Sequence, residues 1–325
     1  MSKIQKALQA MRASKDAEST ARTNADKFIS RHGPNVSVPR TKQRVRPAPG
    51  NPDTAFQREL EMFEEQAVVN HLSIDRNELM RAGFWLEGVE AETIAEQFRR
   101  AKRPLIHSAF EMGVPIGENS NVIMVASAMP GAGKSFCSFN LVRSIAMERD
   151  VGAVLVDADV LKCSLSRGFG VTDKPGLMDY LVDEQMFVDD ILFATDIDDI
   201  ILVPAGTKHP QAAELLSSRR MKQLVQELSQ RFRTRAIVFD TPPILVTNEA
   251  HVLATHVGQI VFVIEARVSS QESVLQALGS LDRSKPINAI LNKSRTASGS
   301  GYYGDDYGYY PFNDRGRDDA ELTTN

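Results

Sequence analysis

Cysteine, tryptophan and long apolar runs are scarce in this sequence. Its 325 residues include two cysteines, Cys137 and Cys163, and one tryptophan. The cysteines form no metal-ligand pair with each other or with a nearby histidine, and a disulfide framework is implausible, so a reducing compartment is predicted. No apolar run approaches the roughly 18 residues that span a bilayer, and the N-terminus lacks the hydrophobic core of a signal peptide. We therefore expect a soluble, cytoplasmic protein that reaches a membrane only through a partner.

A strong net charge is also missing. The 38 Lys and Arg residues against 42 Asp and Glu leave a net charge of -4, which is too small to predict a nucleic-acid partner. The charge is uneven, because residues 31–47 are basic and residues 305–321 are net acidic. An apolar fraction of 42% with 25% charged residues is ordinary for a soluble globular protein.

Composition divides the chain into four segments. Residues 1–30 begin with a short amphipathic helix, and residues 31–54, rich in Pro and Gly, are predicted to form a flexible basic linker. Residues 55–295 hold a helical lead-in, which ends near 103, and then the main domain. Residues 296–325 have no apolar periodicity, which predicts a disordered tail.

Short runs rich in β-branched residues recur along the main domain. They lie at 122–127, 153–157, 200–204, 236–240, 260–265 and 288–292. Helix-length segments separate most of them, which predicts an α/β fold with a doubly wound, mostly parallel sheet. Ligands of such folds bind beyond the carboxyl ends of the strands. The motifs that follow all lie at those ends.

A glycine-rich loop, AMPGAGKS at 128–135, follows the first run and precedes a helix. This is the context of a nucleotide phosphate-binding loop, with Ala in the place of the usual first Gly. Its N–H groups would bind phosphates, Lys134 the β- and γ-phosphates of ATP, and Ser135 a Mg²⁺ ion. The predicted nucleotide contacts are Ala128, Gly131, Ala132, Gly133, Lys134, Ser135, Phe136 and Asn292. Asn292, at the end of the last run, could equally contact adenine or cap a loop.

Three aspartates stand at the ends of two runs, Asp157 and Asp159 in VLVDAD and Asp240 in IVFD. Clustered carboxylates repel each other unless a divalent cation compensates their charge. We predict that Ser135, Asp159 and Asp240 hold Mg²⁺, with Asp240 acting through a bound water. Either Asp157 or Asp159 would accept the proton of an incoming hydroxyl. These three aspartates and Lys134 form the predicted catalytic set.

Tyrosine is concentrated in the tail. Tyr180 stands alone, and the other five are Tyr302, Tyr303, Tyr307, Tyr309 and Tyr310. Their neighbours are mostly Gly, Asp and Ser without an alternating apolar face, so this stretch is not predicted as a core strand. A flexible segment presents hydroxyl groups to an active site, and the acidic neighbours oppose binding to nucleic acid. The five tail tyrosines are therefore the predicted phosphate acceptors.

These motifs resemble those of the bacterial tyrosine kinases, in particular the tyrosine autokinases linked to exopolysaccharide and exosortase gene systems. The three nucleotide motifs of that family correspond to 128–135, 154–159 and 237–243. Its oligomerisation motif, Glu-x-x-Arg-x-x-Arg, corresponds to Glu96, Arg99 and Lys102. Lys102 departs from the family's arginine, and Leu161 stands where the family often has Arg.

The resemblance implies an ATP- and Mg²⁺-dependent autokinase whose C-terminal tyrosines become phosphorylated. It also implies a homo-oligomer, with a ring as one arrangement, and a phosphotyrosine phosphatase as a partner. The activator would be an inner-membrane polysaccharide chain-length regulator, which would hold the kinase at the cytoplasmic side of that membrane. One alternative is a nucleotide-switch ATPase of the septum-site or partition type, but that branch carries an extra early lysine where this loop has Met129 and Pro130. A scaffold with a vestigial nucleotide site is disfavoured because every nucleotide motif is intact.

Overall fold

The computed structural model describes residues 70–111 and 114–294. The predicted N-terminal helix and linker, the start of the lead-in at 55–69 and the tail with its five tyrosines all lie outside these ranges. The domain boundaries proposed above therefore stay predictions.

The described residues form alternating strands and helices. The strands are β1 (Asn70–Leu72), β2 (Phe110–Glu111), β3 (Val114–Pro115), β4 (Val122–Ala126), β5 (Gly152–Asp157), β6 (Phe193–Thr195), β7 (Ile200–Val203), β8 (Arg235–Asp240), β9 (Gln259–Glu265) and β10 (Ile287–Asn292). The helices are α1 (Arg76–Arg81), α2 (Gly88–Ala109), α3 (Lys134–Ala146), α4 (Ser164–Gly168), α5 (Leu177–Val182), α6 (Ala212–Leu216), α7 (Arg219–Arg231), α8 (Asn248–His256) and α9 (Gln271–Gly279), and a 3-10 turn spans Val188–Ile191. No helix in the described ranges is both long enough and apolar enough to cross a bilayer.

One sheet contains eight of these strands, in the order β1-β6-β7-β5-β8-β4-β9-β10. Neighbouring strands are parallel except β6 and β7, which are antiparallel. The predicted mostly parallel sheet is confirmed, and all six predicted strands are present, as β4, β5, β7, β8, β9 and β10. The sequence analysis missed β1 and β6, which have three residues each and show no periodic signal.

Helices cover both faces of the sheet. Side chains alternate between the faces of a strand, and in β4 Val122 and Met124 pack in one buried cluster while Ile123 and Val125 pack in another. The first cluster includes side chains of α5 to α9, and the second includes side chains of α1 to α4. Because both faces are covered, the central strands are apolar between their end residues. The doubly wound arrangement is therefore confirmed.

The helical lead-in predicted for 55–103 is wrong in two respects within the described ranges. Asn70–Leu72 is a strand, parallel to β6, and the Asn70 amide donates to the backbone carbonyls of Asp189 (3.0 Å) and Leu192 (3.3 Å). The second helix also continues beyond 103, through Pro104, to Ala109. Proline removes one helical N–H group, but Leu105 and Ala109 are buried in the core beyond it and keep this turn helical.

Lys102 attaches α2 to the helix that follows the phosphate-binding loop. Its side chain is buried, and its ammonium group donates to the carbonyl of Ser144 and pairs with Glu148 at 2.7 Å. Ser144 lies in the last turn of α3, where carbonyl groups lack helical donors. A lysine is a favourable partner there because it also interacts with the helix dipole. Lys102 therefore caps α3 within its own chain.

Replacing Lys102 by methionine is expected to lower the free energy of unfolding by about 1–3 kcal/mol, because the buried Ser144 carbonyl loses its donor. Urea unfolding measures this change. Arg100→Met is the matched control, since Arg100 is largely exposed and, among the described residues, pairs only with Glu96 on its own helix. Such exposed pairs contribute about 0.3–0.5 kcal/mol. Equal unfolding midpoints for the two variants would contradict the capping role.

Candidate functional site

The phosphate loop, residues 128–135, leads from β4 into α3 at the carboxyl edge of the sheet. Gly131 and Gly133 have φ angles of 91° and 87°, in a region that other residues rarely adopt. A Cβ atom at Gly133 would also lie 2.2 Å from Nδ2 of Asn292. The backbone conformation therefore favours glycine at position 133, and a larger residue there would also displace the Asn292 amide.

The carbonyl oxygens of this loop accept hydrogen bonds from the protein. The donor and acceptor pairs are Ile244 N–Ser127 O (2.9 Å), Leu245 N–Ala128 O (3.2 Å), Ser127 Oγ–Met129 O (2.8 Å), Lys293 Nζ–Gly131 O (2.7 Å), Asn292 Nδ2–Ala132 O (2.8 Å) and Cys137 N–Gly133 O (3.0 Å). Within the described part of the chain, the N–H groups of residues 131–135 donate to no protein acceptor. Free N–H groups at the start of a helix bind anions. The loop is therefore already shaped for phosphate.

Lys134 is the first residue of α3, and its side chain is buried. Burial lowers the pKa of its ammonium group, while the carboxylates of Asp240 and Asp159 act to raise it. A cation in a site from which water is largely excluded interacts strongly with an incoming anion. The position fits the predicted contact with the transferred phosphate.

Asp157, the last residue of β5, is completely buried. Its Oδ2 accepts hydrogen bonds from the N–H (2.8 Å) and the hydroxyl (2.7 Å) of Ser166, and the Ser166 Oγ accepts from the N–H of Ala205 (2.9 Å). Among the described residues, no group donates a hydrogen bond to its Oδ1. Burial raises the pKa of Asp157 to about 6, against the lowering effect of the Ser166 hydrogen bonds. A carboxylate with a free oxygen and a pKa near neutrality is suited to accept a proton.

Asp240 ends β8 and is the register partner of Asp157. Its Oδ1 accepts a hydrogen bond from the hydroxyl of Ser138 (3.0 Å), and its Oδ2 is buried with no hydrogen-bond partner in the described part of the chain. Burial raises the pKa of Asp240 to about 7, and the Asp157 carboxylate contributes to the rise. Two neighbouring buried carboxylates are costly when both are ionised. The arrangement therefore favours the arrival of a positive charge.

Asp159 lies just beyond the end of β5 and is also buried. Its Oδ1 accepts from the N–H of Lys162 (3.2 Å), and its carbonyl accepts from the N–H groups of Lys162 (3.1 Å) and Cys163. These bonds fix the turn that follows the strand. The structure thus brings Asp157, Asp159 and Asp240 to the same edge of the sheet as Lys134, as predicted.

The residues present fit a magnesium ion that arrives with a nucleotide. Within 70–111 and 114–294, no group of three or more His, Cys, Asp and Glu side chains could hold a metal unaided. Mg²⁺ typically takes one or two carboxylates and completes its shell with water and substrate phosphates. The unpartnered Oδ2 of Asp240, with Ser135 and Asp159, supplies oxygen ligands of the required kind.

Three other predicted nucleotide contacts have clear positions. The amide of Asn292 is bound to the phosphate loop itself, through the Ala132 carbonyl. Of the two roles that the sequence left open for Asn292, adenine contact and loop capping, this structure contains the loop-capping contact. Ala128 is buried, with its carbonyl bound by Leu245. The ring of Phe136 packs edge-on against the ring of Phe98 in α2, with 6.3 Å between the ring centres. The group of Phe136 that remains available to a phosphate is therefore its backbone N–H.

The structure separates the three residues that correspond to the oligomerisation motif. Glu96 and Arg99 are partly exposed on α2 and form an ion pair at 2.9 Å. Lys102 instead turns inward to α3 and is buried, so its charge is not on the exposed surface that carries Glu96 and Arg99. An interface role for Glu96 and Arg99 stays a prediction. The five tail tyrosines lie outside the described residues.

Sequence analysis missed four side chains that support the site: Ser138, Ser166, Glu265 and Lys293. One of them could have been found, because Ser138 lies four residues after Lys134 and therefore on the same helix face. The side chains of Ser166 and Glu265 contact the site only through the tertiary structure. Lys293 directly follows Asn292, but nothing in the local pattern indicates that it reaches the loop.

Known proteins resemble this chain in sequence and in fold. Tyrosine-protein kinase YwqD of Bacillus subtilis (strain 168) is 30% identical over 190 residues, which cover 58% of this chain and 76% of that protein. Tyrosine-protein kinase ptk of Acinetobacter johnsonii is 26% identical over 213 residues, 65% of this chain. The crystal structure of the VpsO kinase domain is 25% identical and superposes with a TM-score of 0.54, covering 64% of this chain and all of that domain. No family model matches the sequence.

The chain differs in extent from its relatives. It spans 28% of the length of the Acinetobacter protein but 76% of the Bacillus protein. In this chain the phosphate loop and the ends of the aspartate strands lie at one edge of a mostly parallel sheet. On this evidence the chain belongs to the family of bacterial tyrosine kinases.

Proposed function

We propose that this chain is an ATP-dependent protein-tyrosine kinase that phosphorylates its own C-terminal tyrosine cluster. The observation that carries the proposal is a phosphate loop at the same edge of the sheet as a buried carboxylate, Asp157. Within the part of the chain that the structure describes, neither the N–H groups of residues 131–135 nor Oδ1 of Asp157 has a hydrogen-bond partner. A nucleotide site alone would serve hydrolysis equally well. A buried proton acceptor beside it, in a chain of this family, favours transfer to a hydroxyl group.

Phosphoryl transfer depends mainly on positioning and on stabilising charge. The N–H groups of the phosphate loop and Lys134 would hold the phosphates of ATP. Ser135, Asp159 and Asp240 would hold Mg²⁺, which neutralises charge on the phosphates when it is bound. The hydroxyls of Ser135 and Ser138 and the charge of Lys134 already lower the pKa of Asp240 against the effect of burial.

Asp157 or Asp159 would accept the proton of the tyrosine hydroxyl. The pKa of about 6 and the free Oδ1 of Asp157 support its candidacy. A base with a pKa near the working pH combines the correct protonation state with a sufficient driving force for proton transfer.

The acceptors would be the tail tyrosines, because the one tyrosine in the described ranges is poorly placed. Tyr180 is 6% exposed, and the guanidinium of Arg220 lies 4.1 Å from the centre of its ring. Arg220 also donates to the backbone carbonyl of Tyr180 at 2.6 Å. A side chain packed in this way is a poorer acceptor than the tail, which follows β10 in the sequence at the edge that carries the site.

The biological setting in this proposal comes from the resemblance to exopolysaccharide-linked autokinases. An inner-membrane polysaccharide chain-length regulator would activate the kinase at the cytoplasmic face of the membrane. A phosphotyrosine phosphatase would reverse the modification, and the kinase would work as a homo-oligomer in contact through Glu96 and Arg99.

The test is to incubate the purified full chain with ATP and Mg²⁺ and to probe for phosphotyrosine. We expect a strong signal that mass spectrometry assigns to residues 302–310 and that EDTA abolishes. ATP hydrolysis without phosphotyrosine would instead indicate a nucleotide-switch ATPase. Failure to bind ATP would indicate a scaffold with a vestigial site, and either result would overturn the proposal.

A further inference from the structure

The last strand of the sheet reaches the phosphate loop through a charged pair. The ammonium group of Lys293 donates to the Gly131 carbonyl at 2.7 Å and to Oε1 of Glu265 at 2.9 Å. Glu265 ends β9, and its side chain is 15% exposed. A Cβ atom at Gly131 would lie 3.8 Å from Oε2 of Glu265, so this carboxylate borders the loop. Lys293 thus connects the loop backbone with an anionic side chain beside it.

The backbone conformation of Lys293 is unusual. Its φ angle is 56°, in the left-handed region that residues other than Gly, Asn and Asp seldom occupy. The Asn292 side chain stabilises this turn by accepting from the Lys293 N–H at 2.9 Å, while its amide donates to the Ala132 carbonyl. Asn292 and Lys293, at the end of β10, therefore donate hydrogen bonds to the carbonyls of Ala132 and Gly131, which are consecutive in the loop.

We propose that Lys293 and Glu265 are positioning residues for nucleotide binding. Lys293 would turn the Gly131 carbonyl away from the phosphates, so that the following N–H groups face them, and it would neutralise Glu265. The inference rests on the proposed nucleotide site and assigns it a pair of residues outside the motifs that identified it.

The charges give this proposal a specific signature. A free carboxylate at the edge of the loop would repel the phosphates of ATP, and the repulsion would be strong because Glu265 is mostly buried. Loss of Lys293 should therefore weaken ATP binding in two ways. It releases the Gly131 carbonyl of the loop, and it leaves the Glu265 carboxylate without its cation. Removing the charge of Glu265 at the same time should reverse only the effect of the unpaired carboxylate.

The experiment measures ATP affinity and steady-state kinetics of the full chain with Mg²⁺ for Lys293→Met, Lys293→Arg, Glu265→Gln and the double variant Lys293→Met/Glu265→Gln. We expect Lys293→Met to weaken ATP binding about tenfold, the order expected for losing a hydrogen bond to a charged group. KM for ATP should rise by a similar factor while kcat changes little, because the loop binds substrate and transition state alike. Lys293→Arg should retain most of the affinity, and the double variant should recover part of it.

Lys285 provides the matched control. Like Lys293, it donates from its ammonium group to the backbone, here to the carbonyls of Ala254 (2.7 Å) and Thr255 (2.9 Å). It lies before β10 begins, at the opposite edge of the sheet. Lys285→Met should reduce thermal stability without changing KM for ATP.

The outcomes separate the two proposals. Lys293→Met with ATP affinity within twofold of the wild type would overturn the positioning role and leave the kinase proposal standing. A double variant no better than Lys293→Met would overturn the role of Glu265. A wild-type chain that does not bind ATP would overturn the nucleotide site and this inference with it.

Discussion

Replacing Lys134 by methionine is expected to reduce phosphotyrosine formation by about a hundredfold to a thousandfold, the magnitude found when one preorganised electrostatic stabiliser is removed. Lys134 is buried at the start of α3, within the influence of Asp240 and Asp159, and burial lowers the pKa of its ammonium group. Methionine has a similar length but carries no charge. The transferring phosphate would therefore lose its cation while the packing of α3 is retained. Quantitative anti-phosphotyrosine detection and ATP turnover measure the loss.

The control for this variant is Lys174→Met. Lys174 is an exposed lysine whose partner, Asp173, is its neighbour in the chain at 3.1 Å. It should change neither activity nor stability measurably, because such pairs contribute little. Circular dichroism must show the Lys134 variant folded. A folded Lys134→Met chain that keeps more than about a tenth of the wild-type signal would be incompatible with a role worth two or three orders of magnitude.

Phosphate is expected to pass between subunits, from the site of one copy to the tail of another. The chain from Asn292 to Tyr302 is ten residues long, about 35 Å when extended. This reach allows a tail to enter its own site or a neighbour's, but an oligomer surrounds each site with tails at high effective concentration. The assay mixes inactive full-length Lys134→Met with an active chain that lacks residues 302–325. Nearly all phosphotyrosine should form on the inactive copy, because the active copy has no acceptors.

The subunit contact can be tested in the same mixture. Arg99 is half exposed on α2 and engages only Glu96 among the described residues, so its guanidinium is accessible to a second copy. Arg99→Ala in both chains should remove most of the transfer. Arg81→Ala is the control, since Arg81 is an exposed arginine of α1 in a weak pair with Asp75 at 4.0 Å. Absence of label on the inactive full-length chain would mean that each copy phosphorylates itself. Transfer that survives Arg99→Ala would exclude this helix from the interface.

Local sequence was sufficient for the central architecture and for the phosphate loop. The strands β4, β5, β8 and β9 are buried on both faces, so each produces an apolar run that is readable without knowledge of its partners. The loop is equally local, because glycines with positive φ, a lysine and a hydroxyl residue must follow one another at fixed spacing to surround a phosphate. Asp157 and Asp240 could be placed at one edge of the sheet because parallel strands end together.

Only the tertiary structure decided which way several side chains turn. Lys102 reads as a surface charge at a spacing of three from Arg99, yet it caps the carbonyl of Ser144, 42 residues later. Asp157 is held by Ser166 and Asp240 by Ser138, a separation of 102 residues along the chain in the second case. Periodicity carries no information about such pairs, since a hydrogen bond depends on where two elements meet.

Contacts between distant parts of the chain also explain why the sequence did not reveal the edge strands of the sheet or the residues that support the phosphate loop. A three-residue strand such as β1 is too short to show a periodic pattern. Its pairing with β6 depends on the path of the chain in the folded protein. Lys293 and Gly131 are 162 residues apart in the sequence, yet the Lys293 ammonium group donates to the Gly131 carbonyl. They are close in space because the sheet order β4-β9-β10 brings the end of β10 near the loop that follows β4. The sequence alone therefore determined the phosphate loop, because its residues are adjacent in the chain. Folding determined the groups that hold this loop in place, because those residues become neighbours only when the strands are ordered.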